Sequence, residues 1–235
     1  MSRLHARRQF VAVGLSLALA VPLSAVAATS AVASDSGSGG FVLLRHGDDG
    51  PRVGLAQRAL SVKPVNAHFN RKTRHAVRKF QDARGMAVTG VINERTMNGL
   101  QNKWANIQNY RENLNAKYHR IMKVARAQRG DPYRYGAAGP GAFDCSGYTM
   151  FVYGRATNIS LQHLASAQYR YGHRISHKQA RPGDLVFFYD GGGIYHTSIY
   201  AGHGRIWHSP HTGSHVKRDR IWTSHVYYAR MFKKR

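Results

Sequence analysis

The sequence predicts an α+β protein in which a small three-helix module precedes a larger domain, where a helix leads into a set of strands. Three observations predict this. Apolar residues recur at helical spacing in three short stretches before residue 101. A further helical pattern follows at Tyr118, Ile121, Met122, Ala125 and Gln128. From residue 185 onward the pattern changes to short apolar runs of strand length, separated by Gly-rich turns.

A chain of 235 residues with 43% hydrophobic side chains suits one large or two modest folded domains rather than wholesale disorder. Its formal charge is +24, from 35 basic and 11 acidic side chains. Such an excess speaks to partners rather than to fold, and nucleic acid, anionic lipid and anionic wall polymers are all compatible with it. The N-terminus helps to choose. Arg3, Arg7 and Arg8 precede an apolar run over 11–21, and a small-residue tail ends in Ala31-Val32-Ala33. This is the layout of a removable export signal over 1–33, with a second possible cut after Ala27. Arg7-Arg8-Gln9-Phe10 also resembles a twin-arginine motif. The run is short for a spanning helix, so a retained anchor is the weaker alternative and no stable membrane insertion is expected after signal removal. The expected location is secreted or cell-wall bound. No recognition helix, zinc finger or RNP-like motif accompanies the charge. Anionic wall polymers are therefore the expected counter-surface, not nucleic acid, with simple solubility as the bland alternative.

Residues 34–40, Ser-Asp-Ser-Gly-Ser-Gly-Gly, form a linker by composition. Gly47-Asp48-Asp49-Gly50-Pro51 marks a turn. Val53, Leu55, Ala56, Ala59 and Leu60 line a first helix, and Val77, Phe80 and Ala83 a second within 71–84, with Thr73 as its expected N-cap. A turn-rich loop over 85–92 leads to a third, opened by Asn93 or Glu94 and carrying Met97 and Leu100. No repeat of fixed period is evident. The run Thr73-x-x-Ala76-Val77-x-x-Phe80-Gln81, together with Gly47, Asp48, Gly50, Gln57, Gly85, Thr89, Gly90 and Thr96, resembles a peptidoglycan-binding module of the three-helix type, placed at 41–102. Two features depart from that pattern: Ala56 stands where Leu is usual, and 61–70 lacks the usual glycines. A helical domain without ligand is the alternative. Residues 103–115 are polar, with isolated Trp104, Ile107 and Tyr110, and read as a semi-helical connector to a second domain over 116–235, whose first helix stops at Gly130-Asp131-Pro132.

The only cysteine, Cys145, follows a loop rich in Gly and Pro and precedes a stretch, 146–153, with the pattern of a buried helix. An unpaired cysteine in an exported chain suggests intermolecular pairing or a reactive thiol, with an inert core residue as the bland alternative. Its position at a helix start favours the reactive thiol, because the exposed N–H groups and dipole there stabilise a thiolate and are expected to lower its pKa. A thiol nucleophile needs a base and an orienter. His196 lies on an expected strand over 195–200, a Gly-rich turn follows, and the strand 205–208 ends at His208. A hairpin over that turn sets the two imidazoles roughly opposite, with a bulge adjusting the facing. One ring can then hold the tautomer of the other.

Tyr133-Arg134-Tyr135-Gly136, Gly139-Pro140, Asp144-Cys145-Ser146-Gly147, Pro182-Gly183-Asp184-Leu185-Val186-Phe187-Phe188, His196-Thr197-Ser198-Ile199-Tyr200-Ala201-Gly202 and Trp207-His208 occur in one order and spacing. Together they resemble the NlpC-type cell-wall cysteine peptidases, a papain-like family. The resemblance implies Cys145 as nucleophile, His196 as base, His208 as orienting residue and Tyr133 as an oxyanion-stabilising hydroxyl. It implies Asp144 and Ser146 as binders of the substrate's free amine and carboxylate. It further implies cleavage of peptidoglycan stem peptides, typically between D-glutamate and a diamino acid, through a thioester. A non-catalytic wall-binding or activator protein, or an acyl-transferring cross-linker, is the alternative on the same scaffold. His163 in Leu161-Gln162-His163 replaces the usual arginine, and Ser198 replaces a usual glycine.

No cofactor is expected, and a monomer is. His203, His208, His211 and His215 cluster, but without ordered ligand spacing or an H-E-x-x-H pattern, so no metal site is expected. Trp207, Trp222, Tyr227 and Tyr228 could stack on sugars, although strand core and rim is the commoner role of such residues.

Overall fold

The computed structural model describes residues 41–232. The expected export signal and linker, and the basic tail after Phe232, lie outside the described residues. The predicted α+β class holds. In chain order the elements are α1 (Pro51–Ala59), α2 (Arg71–Asp82), α3 (Glu94–Ala127), α4 (Cys145–Thr157), α5 (Ala165–Tyr171), β1 (His173–Ile175), β2 (Leu185–Asp190), β3 (Gly193–Gly202), β4 (Arg205–His208), β5 (Lys217–Arg220) and β6 (Val226–Arg230).

The first core is built by α1, α2 and the start of α3 around Val53, Ala56, Phe69, Val77, Phe80, Ile92 and Leu100. Two buried glutamines hold the loops to this core. The Gln57 side chain accepts from the N–H groups of Asn66 and Ala67 and donates to Thr73. Gln81 accepts from Gly90 N–H and donates to the carbonyl of Val91 and to Thr96. Each buried glutamine thus meets the threonine three residues after a helix-capping asparagine, Asn70 in one case and Asn93 in the other. The same local device is used twice, although no fixed sequence period announces it. The cap of α2 is therefore Asn70, not Thr73: the helix starts two residues before Thr73, whose own N–H is the one the Asn70 side chain accepts at 2.9 Å.

Helix α3 runs unbroken from Glu94 to Ala127. It passes through the residues read as a connector, 103–115, which contain neither Pro nor Gly and so nothing that breaks a helix. Their apolar periodicity fades because much of this stretch faces solvent.

The second core is formed by Tyr118, Ile121, Met122 and Ala125 of α3, Tyr148, Val152, Tyr153 and Ala156 of α4, and Leu185, Phe187, Ile199, Trp207 and Ala229 of the sheet. The sheet has six strands in the order β1-β6-β2-β3-β4-β5, antiparallel throughout. Alternate residues Val186, Phe188, Tyr200 and Ile206 build a second cluster on its other face, as the two-residue period of strands requires. One buried carboxylate ties these parts together. Asp184, fully buried, accepts from Tyr118 Oη at 2.8 Å, from Arg230 at 2.9 and 3.2 Å, and from Arg181 N–H at 2.9 Å.

Candidate active site

Cys145 is the first residue of α4, and Asp144 is its N-cap. The Asp144 carboxylate accepts from Gly147 N–H at 2.7 Å, from Ser146 Oγ at 3.2 Å and from Gly136 N–H at 3.0 Å. His163 Nε2 lies 2.8 Å from both of its oxygens. Gly147 is required by close approach, because a Cβ there would sit 2.2 Å from the Ala137 carbonyl oxygen. Asp144 and Ser146 are thus both buried and engaged with their own chain. Neither lines the cleft in which the thiol opens. In the structure both build the helix start under Cys145.

That cleft has a volume of about 430 Å³ and brings together Tyr133, Cys145, His196, His208, Asp219 and Trp222. Another groove of about 600 Å³, bordered by Arg174, His177 and Tyr228, contains no thiol. The smaller cleft is thus the one lined by the thiol and both imidazoles. His196 is on β3 and His208 ends β4, and His196 Nε2 lies 2.9 Å from His208 Nδ1. The hairpin register pairs Ile199 with Trp207 and Tyr200 with Ile206, with an irregularity between Tyr200 and Gly202. Continuing that register puts His208 opposite Ser198, so the two imidazoles are diagonal neighbours rather than directly opposed. Ser198 is accommodated at no exposure by donating to the Val186 carbonyl at 3.3 Å.

The electrostatics correct one expectation. Burial pushes the Cys145 thiol above its ordinary pKa, although hydrogen bonds from the backbone N–H groups of Thr197, Ser146 and Cys145 itself pull the other way. The helix start favours the thiolate as expected, but desolvation outweighs it. Burial, followed by repulsion from His208, lowers His196 to about 3. His208 is also lowered by burial, against the raising effect of its contact with Asp219. Burial thus favours the uncharged forms of the thiol and of both imidazoles. Burial and the nearby Cys145 raise Tyr133, so its hydroxyl stays a hydrogen-bond donor.

Residues 130–235 match the family model described as the NlpC/P60 family, and residues 49–100 match one described as a peptidoglycan binding domain. Residues 130–235 are therefore an NlpC/P60 domain. The chain is 46% identical over 101 residues to a protein of Listeria monocytogenes named "Probable endopeptidase p60", a match covering 43% of this chain and 20% of that protein. It is 36% identical over 115 residues to the "Bifunctional muramidase/DL-endopeptidase CwlT" of Bacillus subtilis, covering 46% of this chain and 35% of that one. The crystal structure of the NlpC/p60 domain of the peptidoglycan hydrolase SagA is 35% identical, with a TM-score of 0.46, over 48% of this chain and 98% of that chain. The chain spans only about a fifth to a third of the length of these two curated relatives.

Within this NlpC/P60 domain, the cleft includes Trp222, read from sequence as a possible sugar-stacking or rim residue, and Asp219, which was not singled out. Trp222 stacks on Phe188 with ring centroids 4.1 Å apart and lies 5.8 and 5.6 Å from the rings of His196 and His208. It walls the two imidazoles, while Trp207 is core, so the aromatic residues divide between these roles. Asp219 accepts from His208 Nε2 at 3.1 Å. One signal could have found it: Asp219 is the only acidic residue after Asp190.

Proposed function

We propose that this protein is a secreted peptidoglycan hydrolase, a cysteine endopeptidase that cleaves wall stem peptides at the bond between D-glutamate and a diamino acid. The observation that carries the reading is one cleft in which the sole thiol, at a capped helix start, opens beside a hydrogen-bonded pair of imidazoles. The family match and the named endopeptidase relatives support it.

In this reading the Cys145 proton passes to His196 as Sγ attacks the carbonyl carbon of the scissile amide. Because burial favours the neutral form of each group, proton transfer accompanies the attack in this reading. The Tyr133 hydroxyl donates to the developing oxyanion. Collapse breaks the C–N bond, the departing amine takes the proton from His196, and a thioester remains on Cys145. Water then attacks, giving up its proton to His196, and the released thiol regains it as the acid product leaves. His208 orients His196 throughout. Asp144 and Ser146 act by holding the helix start, with Asp144 available to a substrate ammonium only where His163 yields it.

Residues 41–102 are assigned to a wall-binding module, supported by the second family match. With the aid of the large basic excess, which the arginines of 1–33 supply only in small part, and of anionic wall polymers, it raises the enzyme's local concentration on an insoluble substrate. Residues 116–235 are assigned to catalysis, and 103–115 to the helical bridge between them.

The test is digestion of defined muropeptides by the full chain and by Cys145→Ala, read by mass spectrometry. Hydrolysis products with a new D-glutamate carboxyl end, absent with Cys145→Ala, are expected. Wall binding by intact protein without released peptides would favour a non-catalytic binder, and amide products joined to an added amine would favour a cross-linker.

A further inference from the structure

His208 has a partner at each ring nitrogen. Nδ1 faces His196 Nε2 at 2.9 Å, and Nε2 faces Asp219 Oδ2 at 3.1 Å. An ionised carboxylate only accepts hydrogen bonds. Burial alone would raise the Asp219 pKa, but the hydrogen bonds from His208 and Lys217 outweigh it and hold the carboxyl below its ordinary value, hence ionised. Nε2 of neutral His208 must then carry the hydrogen, which leaves Nδ1 bare as an acceptor. The nitrogen facing it, Nε2 of His196, must in turn carry hydrogen. Neutral His196 is then bare at Nδ1, the one ring nitrogen not committed to His208.

We propose that Asp219 is a positioning residue that fixes the tautomers of both imidazoles, so that His196 presents an unprotonated Nδ1 to the Cys145 thiol. The inference rests on reading Cys145 as nucleophile and His196 as base. Without the carboxylate, His208 is free to carry its hydrogen on Nδ1. It would then donate to His196 Nε2 and drive the His196 hydrogen onto Nδ1, where the ring no longer accepts from a thiol. The same carboxylate, acting through His208, also stabilises the imidazolium that forms when the thiol ionises. The register of the strands permits the arrangement: β4 pairs with β5 so that Ile206 opposes Asp219, which sets Asp219 on the His208 face, one diagonal step away. Lys217 Nζ shares Asp219 Oδ2 at 3.1 Å, and Tyr133, Tyr195 and His211 are the other titratable groups on the cleft wall. Lys217 offsets part of the carboxylate's charge without competing for the geometry, because an ammonium also only donates.

The experiment uses the full chain and its Asp219→Ala and Asp219→Asn variants. It reads kcat and KM on a muropeptide, the rate of Cys145 alkylation by iodoacetamide, and the 15N NMR signatures of the two ring tautomers. In the wild type both rings should show hydrogen on Nε2 and a bare Nδ1. Asp219→Ala should mix the tautomers and lower kcat roughly 10- to 100-fold, with KM within about two-fold. That is less than the roughly 10⁴-fold loss when an amide replaces a carboxylate touching the catalytic ring directly, because Asp219 acts through one more ring. Asp219→Asn, which keeps the shape and offers a carbonyl acceptor, should fall between. A wild-type His208 carrying hydrogen on Nδ1 would overturn the proposal, as would a fall in kcat with unchanged tautomers, or unchanged kcat in both variants. The NMR arm needs no substrate. If Cys145→Ala still hydrolyses muropeptides, the nucleophile assignment fails, and the tautomer result still decides whether Asp219 orders the rings.

Discussion

His163 Nε2 lies 2.8 Å from both carboxylate oxygens of Asp144, the residue that caps the helix beginning at Cys145. The cap therefore serves two elements at once, the start of α4 and the segment before α5. Asp144→Ala removes every acceptor that Gly136, Ser146, Gly147 and His163 use. Loss of an N-cap alone costs about 1 kcal/mol, and the donors left without an acceptor bring the expected loss to about 2–3 kcal/mol. Asp144→Asn keeps a good cap and should lose less than half of that. Urea denaturation of the two variants measures the difference, and equal losses would mean that capping is not what Asp144 supplies.

The two buried imidazoles make stability depend on pH. His196 is neutral in the fold down to about 3, through burial and then repulsion from His208, and burial lowers His208 as well. In the unfolded chain each takes up a proton near about 6.5. Between these values the unfolded state binds more protons, so unfolding becomes easier as pH falls. The contribution is fully present above about 6.5 and is lost toward about 3, with a slope of up to about 1.4 kcal/mol per pH unit for each group. The denaturation midpoint should therefore drop between about pH 7 and about pH 4.5, and His196→Asn should flatten the dependence. A variant as steep as the wild type would locate the acid sensitivity elsewhere.

Thr197 Oγ1 is buried and has no hydrogen-bond partner among the described residues. An unsatisfied buried hydroxyl costs about 1–3 kcal/mol, while a valine methyl fits nearly the same space. Thr197→Val is expected to stabilise the protein by about 1 kcal/mol, a rise of roughly 2–4 °C in Tm. A fall in Tm would mean that the hydroxyl finds a partner in solution.

Asp184→Asn tests the anchor between α3 and the sheet. The carboxylate is fully buried, while the Arg230 side chain keeps 20% exposure. Removing one partner of a fully buried pair costs about 3–5 kcal/mol. Residual hydration of Arg230 should reduce this to about 2–3 kcal/mol. Tyr118→Phe, which deletes one charge-assisted hydrogen bond to the same carboxylate, should cost about 1.5 kcal/mol. If both variants lost the same amount by calorimetry, the ion pair would contribute nothing beyond the tyrosine contact.

By itself the sequence determined what local chemistry controls. The spacing of Tyr118, Ile121, Met122 and Ala125 specified which face of α3 is buried. The alternation from Leu185 specified the two faces of β2, and the Gly-rich turn specified the β3–β4 hairpin. Asn93, one of two candidate residues for the third helix start, does cap α3. These features depend on contacts within a few residues, so periodicity and capping residues report them.

Only the tertiary structure decided the rest. The continuity of α3 through 103–115 leaves no apolar stripe to read. The choice of Asn70 over Thr73 as cap follows from where α2 begins, which Gln57 helps to settle from another helix. The meeting of Asp219 with His208 depends on strand register across an eight-residue connection. The direction of the Cys145 pKa also needed the fold. A helix start is visible in sequence, but desolvation is imposed by chain segments distant from Cys145, and here desolvation is the larger effect.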